Sequence, residues 1–513
     1  MDTTPQKEQP NTTLYTHYDM NKRFFGFLII ALVFFSSGLE AQSQQTLTLE
    51  ESIEVARQNS PLARAATFEL VSAKWRYKSF RADLLPSLDL DGDIPSYSRA
   101  ITANRLDDGS TTYQEESQSQ SSVNLSINQN IMPTGGRLSL SSGINRLILF
   151  DGGINGDNVY RWQSTPLVAT YFQPLFQFNS LKWRNKIEPL RYQIAQKQYV
   201  EDMEDLAFNV TQSFFDFLLA KINVEVAEFN VTVNDSIYNI SQGRYQVGSI
   251  AENDLLQSEL ALRNAETSLT TANLNFQRAE ENFKALLGIP SETEVEVITP
   301  EDAPELNIDV DKALELAREN NSTSLEFELS EIQANQSYDQ ARKEAGFSAS
   351  IQASYGLNQT AEDFSDVYSD PQNRQFFTVG FQIPIFNWGK NTAEIQAARN
   401  QQAATANTIA YQKLQFDLSV RSTVREFSQL RNQVELAETS DVIADRRYEV
   451  AKNRYLIGKI DVTNLFIAQN EKDSARRSYI QALRNYWTGY YNLRRLTLYN
   501  FENNTPIILE TDS

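Results

Sequence analysis

The chain has no cysteine in 513 residues and a single histidine, His17. The first absence removes disulfides, thiolate metal sites, thiol nucleophiles and a lipid-modified cysteine. The second removes a Ser-His-Asp triad and a His-rich zinc site, because His17 lies in a segment read below as a leader. Positive charge is also scarce: 46 Lys and Arg stand against 66 Asp and Glu, for a formal net charge of -20 and a pI near 4.7. A nucleic-acid binder needs a basic stripe that releases counterions from phosphates, so nucleic acid is excluded as a partner and the acidity reads as solubility. Carboxylate-only catalysis survives on inventory, yet the many Asp and Glu define no pocket. No cofactor is expected.

Long apolar runs are lacking too. The one strong run, Phe24 to Phe35, follows Met20, Lys22 and Arg23 and precedes small and polar residues up to Ala41. This is the order of a secretory signal peptide, too short for a membrane span of about 20 residues. Residues 1–41 are therefore read as an N-terminal extension and signal peptide with cleavage after Ala41, and the true start is either Met1 or Met20. With no other run of that kind, a membrane crossing must be made by strands.

What the chain does contain is a duplication. RYQVGSIAEND, residues 244–254, returns as RYLIGKIDVTN, residues 454–464. Arg244, Tyr245, Gly248, Ile250 and Leu255 match Arg454, Tyr455, Gly458, Ile460 and Leu465 at an offset of 210, and the same offset aligns Pro174 in YFQPLF with Pro384 in FQIPIF. Upstream, ESIEVARQNSP (51–61) parallels KALELARENNS (312–322) at an offset of 261, so the first half carries 51 extra residues before Pro174. The repeats are placed at 42–290 and 308–498. Between them 291–307 reads as a Pro-containing acidic connector, and 499–513 as a polar tail.

Within each half the hydrophobic period switches. Met203, Val210, Phe217, Val224 and Val231 fall seven apart, with Leu206, Ala220 and Ala227 on a companion seam. This heptad pattern predicts a coiled-coil helix of roughly 90 Å, longer than a globular core needs. Long helices are expected over 183–287 and 389–495, each pair a long descending and a half-length ascending helix, and shorter opening helices near 47–83 and 309–344. Strands are expected over 87–176 and 347–386. There the period is two: Val123, Leu125 and Ile127 alternate with Asn124, Ser126 and Asn128, and Phe377, Val379, Phe381 and Ile383 with Thr378, Gly380 and Gln382. A soluble sandwich and a barrel wall both produce such alternation; the Asn, Ser and Gln row fits a wet lumen better. Pro384 is expected to end its strand and open the next helix. DLDGD (89–93) lacks the spacing of a calcium loop and reads as a solvated strand end, and PTGGR (133–137) lacks the P-loop Lys-Ser/Thr pair and reads as a hairpin turn.

The leader, the LTLEESIEVARQNSPL opening with its variant in the second half, FQPLF and FQIPIF, and the paired RYxxGxI turns together resemble the TolC family of outer-membrane efflux and secretion channels, over nearly the whole mature chain. The likeness is greatest to the branch with an added TGG hairpin, here Thr134, Gly135 and Gly136. It implies an α+β membrane protein: long antiparallel coiled-coil helices form a periplasmic α-barrel, and a transmembrane β-barrel is shared between three protomers. Four strands cannot close a barrel alone, whereas twelve from a homotrimer can. Whether the hairpin 125–146 joins that wall is left open.

Function follows from the same resemblance. The chain is expected to be a passive exit duct in the outer membrane of a Gram-negative bacterium, in contact with outer-membrane lipid. It would serve a tripartite efflux pump or type I secretion system, recruited by a periplasmic adaptor protein and an inner-membrane transporter. The turns form the far tips of the tunnel, so Arg244, Tyr245, Val247, Gly248 and Ile250, with Arg454, Tyr455, Ile457, Gly458 and Ile460, are expected to dock the adaptor. At the family's acidic ring this chain has Asn464 and Ile467, and Ile460 replaces the latch arginine; Asp254 matches an acidic position. Asp254, Asp461, Asn464 and Phe466 are the candidate periplasmic gate. The alternative function is a structural periplasmic coiled-coil protein without a channel.

Overall fold

In a computed structural model the structure describes residues 45–150, 157–300 and 303–509. The leader at 1–41 lies outside the described residues. In the first half, β1 (Gln45–Leu47), α1 (Leu49–Asn59) and α2 (Pro61–Ala82) precede four strands, β2 (Ser87–Arg105), β3 (Thr111–Ile131), β4 (Gly136–Phe150) and β5 (Val159–Leu175). Then come α3 (Ser180–Gln246) and α4 (Glu252–Leu287). After β6 (Val295–Val297), the second half has α5 (Val310–Asn320), α6 (Thr323–Glu344), β7 (Ser348–Ala361), β8 (Gln372–Gln382), α7 (Lys390–Leu456), α8 (Val462–Thr497), β9 (Tyr499–Asn500) and β10 (Thr505–Pro506). Corresponding helices have equal lengths in the two halves: 11, 22, 67 and 36 residues. A 67-residue helix is about 100 Å long.

Local chemistry sets the boundaries. Thr48 and Glu51 form a reciprocal capping box at the start of α1. The single opening helix expected near 47–83 is two helices, because Ser60 is extended (ψ 137), accepts from the Leu62 N–H and hands the chain to Pro61 at the first helical position. The expected helix over 309–344 breaks likewise, at Asn321, whose ψ of 150 is extended. Gly288 ends α4 with φ 72, and a Cβ there would lie 2.4 Å from the Asn59 carbonyl oxygen, so the end of α4 abuts the α1–α2 corner. Pro384 opens no helix. It sits in an extended segment after β8, and α7 starts only at Lys390, behind Gly389 at φ 83. Pro174 stays inside β5, opposite Ser350, where pairing with β4 has already ended at Phe172, so its missing N–H breaks no bond on that side.

The connector is more than a link, since β6 within it pairs in parallel with β1 and Ala303 is buried. The tail also packs: Tyr499 is buried and the Ile507 N–H donates to the Leu498 carbonyl.

The six long strands form one antiparallel sheet in the order β2-β3-β4-β5-β7-β8, so the TGG hairpin is part of it. Pairing is in register from Leu88 to Ile127, Leu140, Ala169 and Tyr355, all on one face. The opposite face carries Ser87, Asn128, Ser139, Thr170 and Ser354 in line. Side chains tie that polar row together, with Asn128 donating to Asp89 (3.0 Å) and Ser139 to Asn128. A bulge between Asp93 and Ser96 shifts parity, which returns Tyr97 and Ile101 to the face of Leu88 and Leu90.

The helices lie side by side as α4, α3, α8, α7. The main core is where all the helices except α6 converge, around Phe214, Phe217, Phe283, Phe427, Tyr486 and Tyr490, with α2 contributing only Ala63. At its edge Glu204, fully buried, accepts from Arg494 Nε (2.9 Å) and Nη2 (3.0 Å) and from Arg57 Nη2 (2.8 Å). Two cations on one carboxylate offset the cost of burying it. Among the described residues no helix is long and apolar enough to cross a membrane.

Candidate functional site at the helix tips

The two RYxxG turns fold identically. At the first, Gly248 N–H donates to the Tyr245 carbonyl and Ser249 N–H to the Arg244 carbonyl, each at 2.9 Å; at the second, Gly458 and Lys459 donate to Tyr455 and Arg454 at the same distances. Both glycines have φ 72. This is the Schellman closure, whose left-handed residue is almost always glycine, so the repeated motif is a helix stop and a reversal in one.

The structure brings the turns together around a cleft of about 610 Å³. Arg244, Ile250, Asp254, Tyr455, Ile457, Gly458, Ile460 and Asp461 line it, with Ser241, Ser249, Lys459 and Val462, which the sequence reading did not select as site residues. Tyr245, Val247, Gly248, Arg454, Asn464 and Phe466 lie outside it.

Identical motifs have different surroundings. Tyr455 is 4% exposed, inside a second apolar cluster with Ile237 of α3, Tyr448 of α7 and Val462 and Leu465 of α8. The Arg244 guanidinium lies 5.1 Å from its ring centroid and reaches the carbonyls of Tyr455 (3.4 Å) and Leu456 (3.3 Å). Those carbonyls end α7, where they have no helical partner and the helix dipole favours a cation. Tyr245, by contrast, is 41% exposed, and Arg454 is exposed. Val247 and Ile457 project from the tips into solvent.

The candidate gate residues divide. Asp461 is the N-cap of α8, accepting from the Asn464 N–H and side-chain Nδ2 at 2.8 Å each. Phe466 packs against the second cluster. Asp254 is half-buried in the first turn of α4. Between the two ascending helices, Gln257 Nε2 donates to Thr463 Oγ1 at 3.2 Å. No heptad or turn signal marks that pair. Further up the hairpins, a second cleft of about 630 Å³ is lined by Asn230, Asn234, Gln469 and Asp473. There Asp473 accepts from Asn230 (2.6 Å), and burial pushes its carboxyl above the usual value against that hydrogen bond. Among the described residues no cluster of three or more His, Cys, Asp or Glu is placed to hold a metal ion.

A strand sheet with one apolar and one polar face, joined to paired helices about 100 Å long that end in matched reversals, defines the class of channel-forming outer-membrane proteins. The model of the outer membrane efflux protein family matches residues 137–289 and 313–497, more than half of the chain, and the chain belongs to that family, the TolC-type channels of the outer membrane. Among relatives, the probable outer membrane lipoprotein SilC of Salmonella typhimurium is 22% identical over 346 residues, 65% of this chain and 71% of that protein. The CmeC outer membrane channel of Campylobacter jejuni superposes with a TM-score of 0.64 at 17% identity, covering 90% of this chain and 87% of that one. The outer membrane protein VceC of Vibrio cholerae gives 0.61 at 13% identity, covering 88% and 95%. At these identities the structural likenesses establish the fold.

Proposed function

We propose that three copies of the chain close into one continuous duct through the outer membrane and periplasm, the passive exit channel of a tripartite efflux pump or type I secretion system. The observation that carries this is the state of the duplicated helices. On α3, Val226 packs against the main core, Val233 packs against the second cluster, and Ile240 is half-buried within the chain. The residues 210 further on, Leu436, Ile443 and Val450 of α7, are exposed, and so are Leu256 and Leu260 of α4. Repeating the internal α3–α8 contact between α7 of one copy and α4 of the next covers both open edges and generates a ring of six similar hairpins. Three copies of four helices then enclose the tunnel.

In that ring the tips face the periplasm and dock a periplasmic adaptor, which recruits an inner-membrane transporter. Val247 and Ile457 supply exposed apolar contact, Tyr245 and Arg454 the polar frame, and Gly248, Gly458, Arg244, Tyr455, Ile250 and Ile460 the geometry beneath. The gate is the first turn of the ascending helices, where Asp254 and the Gln257–Thr463 pair stand, supported by Phe466 and by Asp461 and Asn464 at the α8 cap.

The test is the native mass of the detergent-extracted protein with detergent subtracted, followed by disulfide capture between cysteines placed at the tips and in adaptor hairpins. A trimer that captures the adaptor through residues 247 and 457 supports the reading; a monomer sinks it. For the gate, divalent-cation block of conductance weakens in Asp254→Ala, and unchanged block removes Asp254 from that role.

A further inference from the structure

We propose that all six long strands of each chain stand in the membrane wall, so that three copies close a barrel of eighteen strands, with β8 of one copy paired to β2 of the next. This rests on the trimeric reading above and sets the width of its duct.

The apolar face decides against a lumenal or external flap. It runs from Leu88 and Leu90 on β2 through Leu125 and Ile127 on β3 to Leu140 on β4, interrupted by Ser142 opposite Leu125, and continues through Ala169, Tyr355 and, across from Ala353, Phe377. A β2–β3 pair folded away into water would have no reason to carry this face in phase with the other four strands, and the β2 bulge restores the phase where it would be lost. Leu88, Leu90 and Ile101 on β2 and Phe377, Val379 and Phe381 on β8 are all exposed in the single chain. Lipid covers such side chains in a barrel.

The edges agree. Among the described residues β2 and β8 each have one strand neighbour, leaving a long row of backbone donors and acceptors open. β2 leaves the helical end of the sheet and β8 returns to it, so a β8–β2 seam is antiparallel like every other pair in the sheet.

The perimeter also fits. Strands about 4.8 Å apart and tilted by about 40° occupy roughly 6 Å each, so six span about 38 Å. The four helices beside one another span about 32 to 40 Å at interaxial distances of 8 to 10 Å. Four strands would span only about 25 Å and force the duct to narrow at the membrane.

The cysteine-free chain allows a direct test in the full-length protein in outer-membrane vesicles. Val379→Cys is combined in turn with Leu88→Cys, Leu90→Cys or Ile94→Cys on β2, and with Leu138→Cys, Leu140→Cys or Ile144→Cys on β4. Mild oxidation should yield covalent trimers with at least one β2 partner and with no β4 partner. Capture by the β4 set alone overturns the six-strand wall while leaving the trimer intact. Capture by neither set, with the detergent-subtracted mass still that of a trimer, overturns the β8–β2 seam. Capture by neither set with the mass of a monomer overturns the trimeric reading itself.

Discussion

On α3, Val233 lies under α8 and Glu204 is locked between Arg494 and Arg57. On α7, the matching positions are Ile443, 62% exposed, and Leu414, 55% exposed. The helices have the same length and the same turn at the tip, yet one face is a finished seam and the other is bare. The contrast teaches that burial in a duplicated chain is assigned by neighbours and not by the local motif. It also shows the two seams diverging in chemistry, because the internal one contains a buried ion cluster where the open one offers leucine. Arg494 of α8 corresponds to Lys284 of α4, which instead pairs with Glu280 in its own helix.

The contrast can be broken from either side. Glu204→Ala leaves two guanidinium groups without their carboxylate in the internal seam and is expected to lower the stability of the single chain by about 3–5 kcal/mol, read by thermal loss of helical circular dichroism in detergent. Leu414→Ala at the matching open position should leave the monomer melt unchanged. Ile443→Asp is expected to cost about 2 kcal/mol or more per seam between copies, which weakens assembly more than tenfold without unfolding the chain. Native mass at graded dilution measures this, and loss of the fold at the same time would show that Ile443 is covered within the chain. At the tips, Arg244→Ala removes the contact with the Tyr455 ring and the α7 end, for about 1 kcal/mol in the isolated chain, whereas Arg454→Ala should act only in the assembly. Hydrogen exchange at the end of α7, compared between the two variants, separates them.

The smallest effect sharpens the comparison by pH. Burial raises the Asp473 carboxyl above 3.8, so the folded chain holds its proton to higher pH than the unfolded chain does. As pH rises from below 3.8 through the folded value, the group's contribution to stability falls. Asp473→Asn should therefore raise the melting temperature at pH 7 more than at pH 4, and an equal gain at both would show that the carboxyl is not perturbed.

Much of the fold was legible because it is periodic. The 210-residue offset placed both reversals, the heptads gave the long helices, and alternation gave β3 and β8. Three features were not legible, each for a physical reason. Pro384 tolerates both a helix start and an extended linker, and the chain uses it in the linker. The unequal fates of Tyr245 and Tyr455 could not be read at all, since both stand in RYxxG and only the arrival of α3 beside α7 separates them. Likewise Asp461 and Asn464 are residues of both gates and caps, and the choice depends on the angle at which α8 begins.

The equal lengths of the paired helices tie two distant stretches of the gene together. Each residue inserted in both arms of a helical hairpin moves its tip by about 1.5 Å, and in the proposed trimer one heptad added to α3 and α4 but not to α7 and α8 would leave three of six tips protruding by roughly 10 Å. A partner that seats on all six at once would meet a crown with alternate points raised. Insertions and deletions in this lineage should therefore be matched between the two halves, and a homologue with a longer tunnel should have gained the same number of residues in both copies.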